Sequence, residues 1–315
     1  MKRIFTLLLA CCFSTFAAAQ AWPDKPIKVV VPFGPGGSSD LMARLLQKTI
    51  ENDKLLTQPM AIVNVKGHFS IGSQQAKNAA PDGTNFLVLH LALLSGEVVD
   101  PSKGVSYRDF EPVAMTGGFC LHHVVRDDAP WKSLDDLVNA AKAKPNTILF
   151  GVNIGALNHL GGGFLEQATG ANFRFVQIGG GSLNYAALKG SQTQTTMLSS
   201  SEYSNFKAGG MRSLAFTGPT RLDSEPNVPT TKELGLGYEF CINNYWFAPK
   251  GTPKTAIDGM ANALEQAMKS PALRKVQIEE RASTVEFLKG DAFKKNLDET
   301  FKGIESIART LVSNK

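Results

Sequence analysis

Four stretches of this 315-residue chain share one chemical device. At residues 34–40, 153–158, 179–182 and 199–201 an apolar run ends in glycines and small polar residues, and a helical pattern follows. The first amides of a helix have no partner within it and lie at the positive end of its dipole. Glycine lets the backbone approach a bound group closely, and serine adds a hydroxyl donor. Such a turn holds an anion without lysine or arginine. One turn of this sort looks like any ordinary connection. Several, each at the carboxyl end of a strand, point to a shared ligand site.

Other chemistries leave weaker traces. Gly34-x-Gly36 lacks the third glycine of a dinucleotide fingerprint, because Ser39 stands there. No loop ends in the Gly-Lys-Ser/Thr of a nucleotide-binding loop, and no Gly-x-Ser-x-Gly elbow or HExxH motif occurs. Gly161-Gly162-Gly163 falls inside a predicted helix, where it permits close packing or weakens the helix. His122 and His123 are adjacent on a predicted strand, point to opposite faces and do not form a chelating pair. No metal or cofactor is expected. Ser, His and Asp are all present, so a cleft hydrolase using Asp40 and His159 is the enzymatic alternative.

The elements that must position these turns alternate between strand and helix, which predicts an α/β architecture with parallel strands. Strands are predicted at 27–33, 61–65, 86–90, 121–126, 148–152, 173–178, 195–198, 212–217 and 245–248. A helix is predicted over 41–50 with Leu41, Leu45 and Leu46 on one face. Others are predicted over 71–79, from Ser133 to about 144, over 158–169 with Gly170 past the end, and from 182 to Gly190. The stretch from Pro253 onward reads as helices with polar connections.

The first residues set the compartment. Met1-Lys2-Arg3, an apolar run over 4–16 and the small residues Ala17, Ala18, Ala19 and Ala21 have the order of a secretory signal peptide, cut after Ala19 or Ala21. The run is shorter than the roughly 20 residues of a membrane span. Cys11 offers an alternative lipoprotein site. What remains is one large or two medium domains, exported to the periplasm. The formal charge of +5 loses Lys2 and Arg3 on processing, leaving +3, with no block of like charge, so nucleic acid is not an expected partner. With Cys11 and Cys12 in the signal, Cys120 and Cys241 remain in an oxidising compartment, as a disulfide or as two buried thiols.

Three longer stretches carry a family resemblance. Trp22-Pro23-Asp24-Lys25-Pro26-Ile27-Lys28-Val29-Val30-Val31-Pro32-Phe33-Gly34-Pro35-Gly36-Gly37-Ser38-Ser39-Asp40 resembles the opening of mature Bug-type receptors, the extracytoplasmic solute-binding components of tripartite tricarboxylate transporters. Ala80-Pro81-Asp82-Gly83 is similar to the turn before their third strand. Arg212-Ser213-Leu214-Ala215-Phe216-Thr217, Asn227-Val228-Pro229-Thr230 and Tyr245-Trp246-Phe247-Ala248-Pro249-Lys250-Gly251-Thr252-Pro253 resemble their second-half pattern. The resemblance runs through the mature chain in order. It implies a two-lobed periplasmic-binding-protein (Venus-flytrap) fold with two crossing hinge strands, near 120–125 and 241–245, which would bring Cys120 and Cys241 close. Lobe 1 would be 22–121 plus 243–315, and lobe 2 would be 122–242. It further implies a carboxylate ligand in the cleft and a partnership with the membrane permease subunits. A ligand-presenting role toward a sensor kinase is the alternative.

By the same resemblance the first lobe offers Phe33, Gly36, Gly37, Ser38, Ser39 and Asp40 to the ligand. The second offers Asn153, Gly155, Ala156, Asn158 and His159, then Gly179, Gly180, Gly181 and Ser182, then Ser199, Ser200 and Ser201. Asp40 reads more readily as a helix cap, and His159 divides between ligand donor and cap. The chain also departs from the family pattern. Gly67-His68-Phe69-Ser70 replaces a glycine-rich turn, His90-Leu91-Ala92-Leu93 replaces small polar residues, and Gly179-Gly180-Gly181 replaces a turn that usually carries lysine. If His68, Phe69 and His90 face the cleft, the ligand is bulkier or less polar than a C4 dicarboxylate, such as an aromatic or citrate-like acid. The other reading is that they pack within the lobe.

Overall fold

The computed structural model describes residues 22–280 and 283–313; the expected export segment, with Cys11 and the expected cleavage after Ala19 or Ala21, lies outside them. The chain begins with β1 (Ile27–Val31), α1 (Ser38–Asn52), β2 (Met60–Asn64), α2 (Phe69–Lys77), β3 (Asn85–Leu89) and α3 (Ala92–Val99). β1 pairs in parallel with β2 and β3, which is why its Ile-Lys-Val-Val-Val run is almost wholly buried. The core face of α1 is Ser39, Met42, Ala43, Leu46, Thr49 and Ile50, at helical spacing. The expected stripe is therefore corrected: Leu41 and Leu45 sit at its edge, half-buried.

β4 (Phe110–Arg126) is the element that makes the fold two-lobed. Its first part pairs antiparallel with β9 from Phe110 to Cys120. Its last part pairs with β7 and β8 from Leu121 to Arg126. One strand thus belongs to two sheets, β2-β1-β3-β9-β4 and β4-β7-β5-β6. The sequence pattern marks this strand only from residue 121, because Pro112 and Gly117-Gly118 interrupt it. The structure absorbs those residues in register shifts at Pro112/Ala114 and Thr116/Gly118, with Gly117 at φ +50°.

The second lobe follows: α4 (Leu134–Ala143), β5 (Leu149–Val152), α5 (Leu157–Thr169), β6 (Arg174–Gln177), α6 (Gly181–Lys189), β7 (Thr195–Ser199), α7 (Ser200–Phe206) and β8 (Met211–Phe216). β6, β5 and β7 run parallel, so the starts of α5, α6 and α7 all lie at the carboxyl edge of one sheet. The three glycines of α5 serve packing. A Cβ on Gly161 would meet Met197 Sδ, one on Gly162 would lie 2.5 Å from Phe175 Cε1, and one on Gly163 would lie 2.8 Å from Leu311 Cδ2.

The chain returns through β9 (Cys241–Pro249), then α8 (Lys254–Lys269), α9 (Pro271–Lys275), β10 (Phe287–Lys289) and α10 (Gly290–Ser313). Cys120 and Cys241 are direct cross-strand neighbours on β4 and β9, and a disulfide joins them. α10 packs on α3 in the first lobe and on α5 in the second. Among the described residues no helix is long and apolar enough to cross a membrane.

Candidate ligand-binding cleft

Three helices point their starts at one place. The N-cap residues of α1, α5 and α6 are Gly37, Ala156 and Gly180, and none of these helices has a side-chain cap. All three residues line the same cavity between the lobes. Elsewhere, α2, α4 and α7 are capped by His68, Ser133 and Ser199. α3 and α8 also lack side-chain caps, but their N-cap residues, Leu91 and Pro253, are not at the cavity. The sequence thus omits Ser/Thr/Asp caps at the three helix starts that face the cleft, leaving their amides and dipoles turned toward it. Among the described residues the lining holds no lysine or arginine.

The lobes are shut on each other. The cavity encloses about 10 Å³, close to what one water needs. Direct bonds join the two lobes beside it. His68 Nε2 donates to the Ile154 carbonyl at 2.9 Å, Asn153 Nδ2 donates to the Gly67 carbonyl at 3.2 Å, and Ser95 Oγ donates to the Gly155 carbonyl. Phe33 stacks on His90, ring centroids 4.7 Å apart, and packs against Gly180, where a Cβ would lie 3.0 Å from its ring.

Of the residues expected from sequence, Phe33, Gly37, Ser38, His90, Asn153, Ala156, Asn158, Gly180 and Gly181 line the cavity. Leu157 and Met197 complete its apolar wall. Gly36, at φ +79°, and Gly155, at φ +79°, shape the two loops without lining it. Ser182 faces Gly34 across the lobe contact. Gly179 supports the start of α6, its carbonyl accepting from Asn184 Nδ2 at 2.6 Å.

Several side chains have other duties. Asp40 is buried but away from the cavity. Its carboxylate accepts from the Gly36 amide at 2.8 Å, Asn64 Nδ2 at 2.9 Å and Arg44 Nε at 3.0 Å, and so locks the loop before α1. Ser39 Oγ lies 3.1 Å from Asn244 Oδ1, tying α1 to β9. His159 Nδ1 accepts from the Gly155 amide at 3.1 Å and its ring meets Phe175 edge-on, so it caps its own loop. With Asp40 and His159 each held in its own lobe, the hydrolase pairing has no geometry behind it. Phe69 fills the space beside Gly96 and Gly155, and His68 is half-buried in the lobe contact. Neither lines the cavity, so the case for a bulky ligand keeps only His90. Ser199 caps α7 and Ser200 is buried behind it.

Besides the apolar Leu157 and Met197, one polar residue at the cavity escaped sequence reasoning. Glu202, on α7, is 2 % exposed. Its Oε1 accepts from the Ser38 amide at 2.8 Å, across the cleft, and its Oε2 accepts from the Ser199 amide at 2.9 Å. Burial pushes its carboxyl above the usual range, while the Ser199 and Ser38 amides pull it back. The signal was present: Ser199-x-x-Glu202 is a capping box, and its start is one of the four turns singled out above.

The chain can now be set beside known proteins. The sequence profile described as tripartite tricarboxylate transporter family receptor matches residues 42–302. Protein BugT of Bordetella pertussis is 30% identical over 265 residues, covering 81% of this chain and 80% of that protein. MatC of Rhodopseudomonas palustris, solved with bound malate, superposes with a TM-score of 0.83 at 22% identity, over 91% of this chain and 100% of that one. A further R. palustris protein, solved with adipate, superposes at 0.85 and 23% identity, over 92% of this chain and 98% of that one. At those identities the two structures establish a shared two-lobed fold.

Proposed function

Because the chain belongs to the tripartite tricarboxylate transporter receptor family, we propose that it is an exported periplasmic solute-binding protein that captures a small carboxylate between its lobes and delivers it to the membrane permease subunits of such a transporter. One observation carries this reading above the others: α1, α5 and α6 begin without side-chain caps and aim their starts at one interlobe cavity. Amides at helix starts bind an anion through the dipole and direct hydrogen bonds, each contact contributing roughly 0.5–3 kcal/mol according to charge and burial. The malate and adipate of the two R. palustris proteins are ligands of the same chemical kind. Aromatic carboxylates, tricarboxylates and dicarboxylates are the classes in question here.

The mechanism is a hinge. Residues 22–121 with 243–315 form one rigid half and 122–242 the other, turning about the β4–β9 crossing beside the disulfide. The open form exposes two half-sites. A bound carboxylate bridges them and favours closure through contacts that exist only in the closed state. The ligand is held and released unchanged.

Native mass spectrometry of protein purified from the periplasm should find a small acid retained in the cleft. A thermal-shift panel of aromatic, dicarboxylic, tricarboxylic and amino-substituted acids should raise the melting temperature for at least one class. No retained acid and no shift with any member would end this reading.

A further inference from the structure

Glu202 puts a carboxylate of the protein itself at the start of α1. Its Oε1 takes the Ser38 amide, and a Cβ on Gly37 would lie 3.4 Å from it. The same group lies against the start of α6, where a Cβ on Gly181 would meet both carboxylate oxygens. Among the described residues it is the one charged side chain in the cavity lining, and no lysine or arginine faces it there. Its anchor is in its own lobe, through the Ser199 amide and the capping box, so opening the lobes separates it from Ser38 and leaves it on the second lobe. A second acceptor stands nearby. Asn153, which lines the same cavity, is 1 % exposed, and its Oδ1 has no partner.

The cleft is thus asymmetric. One wall offers donors, the amides at the start of α1. The opposite wall offers acceptors, Glu202 and Asn153 Oδ1. A ligand entering the Ser38–Glu202 contact must present an acceptor to the first and a donor to the second. A plain di- or tricarboxylate satisfies the first wall and sets like charge against the second. We propose that Glu202 is the specificity-determining residue of the cleft and that the ligand is an aminocarboxylate, its carboxylate on the α1 amides and its protonated amine on Glu202 and Asn153 Oδ1. The proposal rests on the carboxylate-binding reading above and narrows it. An aliphatic or flat ligand body then lies along the stacked Phe33 and His90 rings.

The test uses acid pairs differing only by the amine: succinate with aspartate, glutarate with glutamate, and 3-phenylpropionate with phenylalanine. Each is titrated calorimetrically into the wild-type protein and into Glu202→Gln, whose folding is checked by its melting curve. In the wild type the amine-bearing member of at least one pair should bind about 100-fold more tightly than its plain partner. In Glu202→Gln that preference should shrink to about fivefold or less, since glutamine keeps the cap and loses the charge. Binding of plain acids as tight as, or tighter than, that of their amine partners overturns this proposal and leaves the carboxylate reading standing. Binding of neither member of any pair overturns this proposal, and the carboxylate reading falls with it only when the wider acid panel also gives no shift. Should Glu202→Gln not fold, the wild-type comparison decides alone.

Discussion

Gly34 of the first lobe and Ser182 of the second meet with nothing between them: a Cβ on Gly34 would lie 2.9 Å from Ser182 Oγ. The backbone of Gly34 lies outside the left-handed region, so a larger residue there does not strain its own loop. It obstructs only the approach of the lobes. Gly34→Val should therefore weaken ligand binding about tenfold or more by disfavouring the closed state. The stability of the ligand-free protein should change by less than about 1 kcal/mol. Calorimetry combined with solution scattering reads both effects. Unchanged affinity together with normal ligand-driven compaction would remove Gly34 from the closing surface.

The disulfide ties the chain where it passes between lobes. Cys120 and Cys241 are cross-strand partners 121 residues apart in sequence, so the bond closes a loop containing the whole second lobe. Crosslinks of this span stabilise mainly by restricting the unfolded chain, typically by about 2–4 kcal/mol. Cys241→Ser, or reduction of the native protein, should lower the unfolding free energy read from urea titration by a matching amount. Coincident unfolding curves with and without reductant would mean that the thiols are unbonded in the exported protein.

Much of this arrangement is legible in the residues alone. Glycine and serine after apolar runs mark the starts of α1, α5 and α6, and those are the starts that line the cavity. The gaps have physical causes. α3 was not foreseen because Ala92-Leu93-Leu94 is buried on every side and shows no helical stripe. α7 is marked only by its start at 199–201, because seven residues are too few to show a helical stripe. Asp40, His68 and His159 carry the right chemistry for a ligand, yet backbone groups take up their polar atoms, local ones for Asp40 and His159 and the Ile154 carbonyl of the other lobe for His68. Sequence gives a residue's capacity to bond and is silent on which partner arrives first. Glu202 is the converse case. As a cap residue it looks ordinary, and only the closing of one lobe on the other carries its second oxygen to Ser38.

Asp40 separates support from contact. Its buried carboxylate satisfies the Gly36 amide and Asn64 Nδ2 and pairs with Arg44, so Asp40→Ala takes the acceptor from the half-buried Gly36 amide, one of two acceptors from Asn64 Nδ2, which keeps the Phe33 carbonyl, and the partner from Arg44. The expected loss of stability is about 2–3 kcal/mol. Since Asp40 is not at the cavity, binding should weaken only a few-fold, through loosening of the turn before α1. Denaturant unfolding and titration on the same sample test this. A loss of about 100-fold in affinity with stability intact would instead put Asp40 on the ligand.

Three buried histidines set the response to acid. Burial pushes His90, His122 and His123 down to about 3, with the charge of His123 adding to the effect on His122. Their unfolded value is near 6.5, so below it the unfolded chain takes up protons that the folded chain refuses. Stability from these groups is fully present above pH 6.5 and is lost as pH falls toward 3. Each contributes about 1.4 kcal/mol per pH unit, so the three together give a slope of about 4 kcal/mol per unit. His68, also lowered by burial, acts in the same direction. Glu202, whose carboxyl is raised, acts in the opposite one, because the folded state holds its proton more readily as pH approaches its range. The histidine slope is therefore cleanest between about pH 6 and 5. His122 lies between the rings of Tyr203, 4.4 Å away, and Phe216, 4.7 Å away, a setting that accepts phenylalanine. His122→Phe should reduce the slope by about one proton, measured as urea midpoints at the two pH values. A wild-type slope no steeper than about 1.4 kcal/mol per unit would mean that most of these rings are charged in the folded protein.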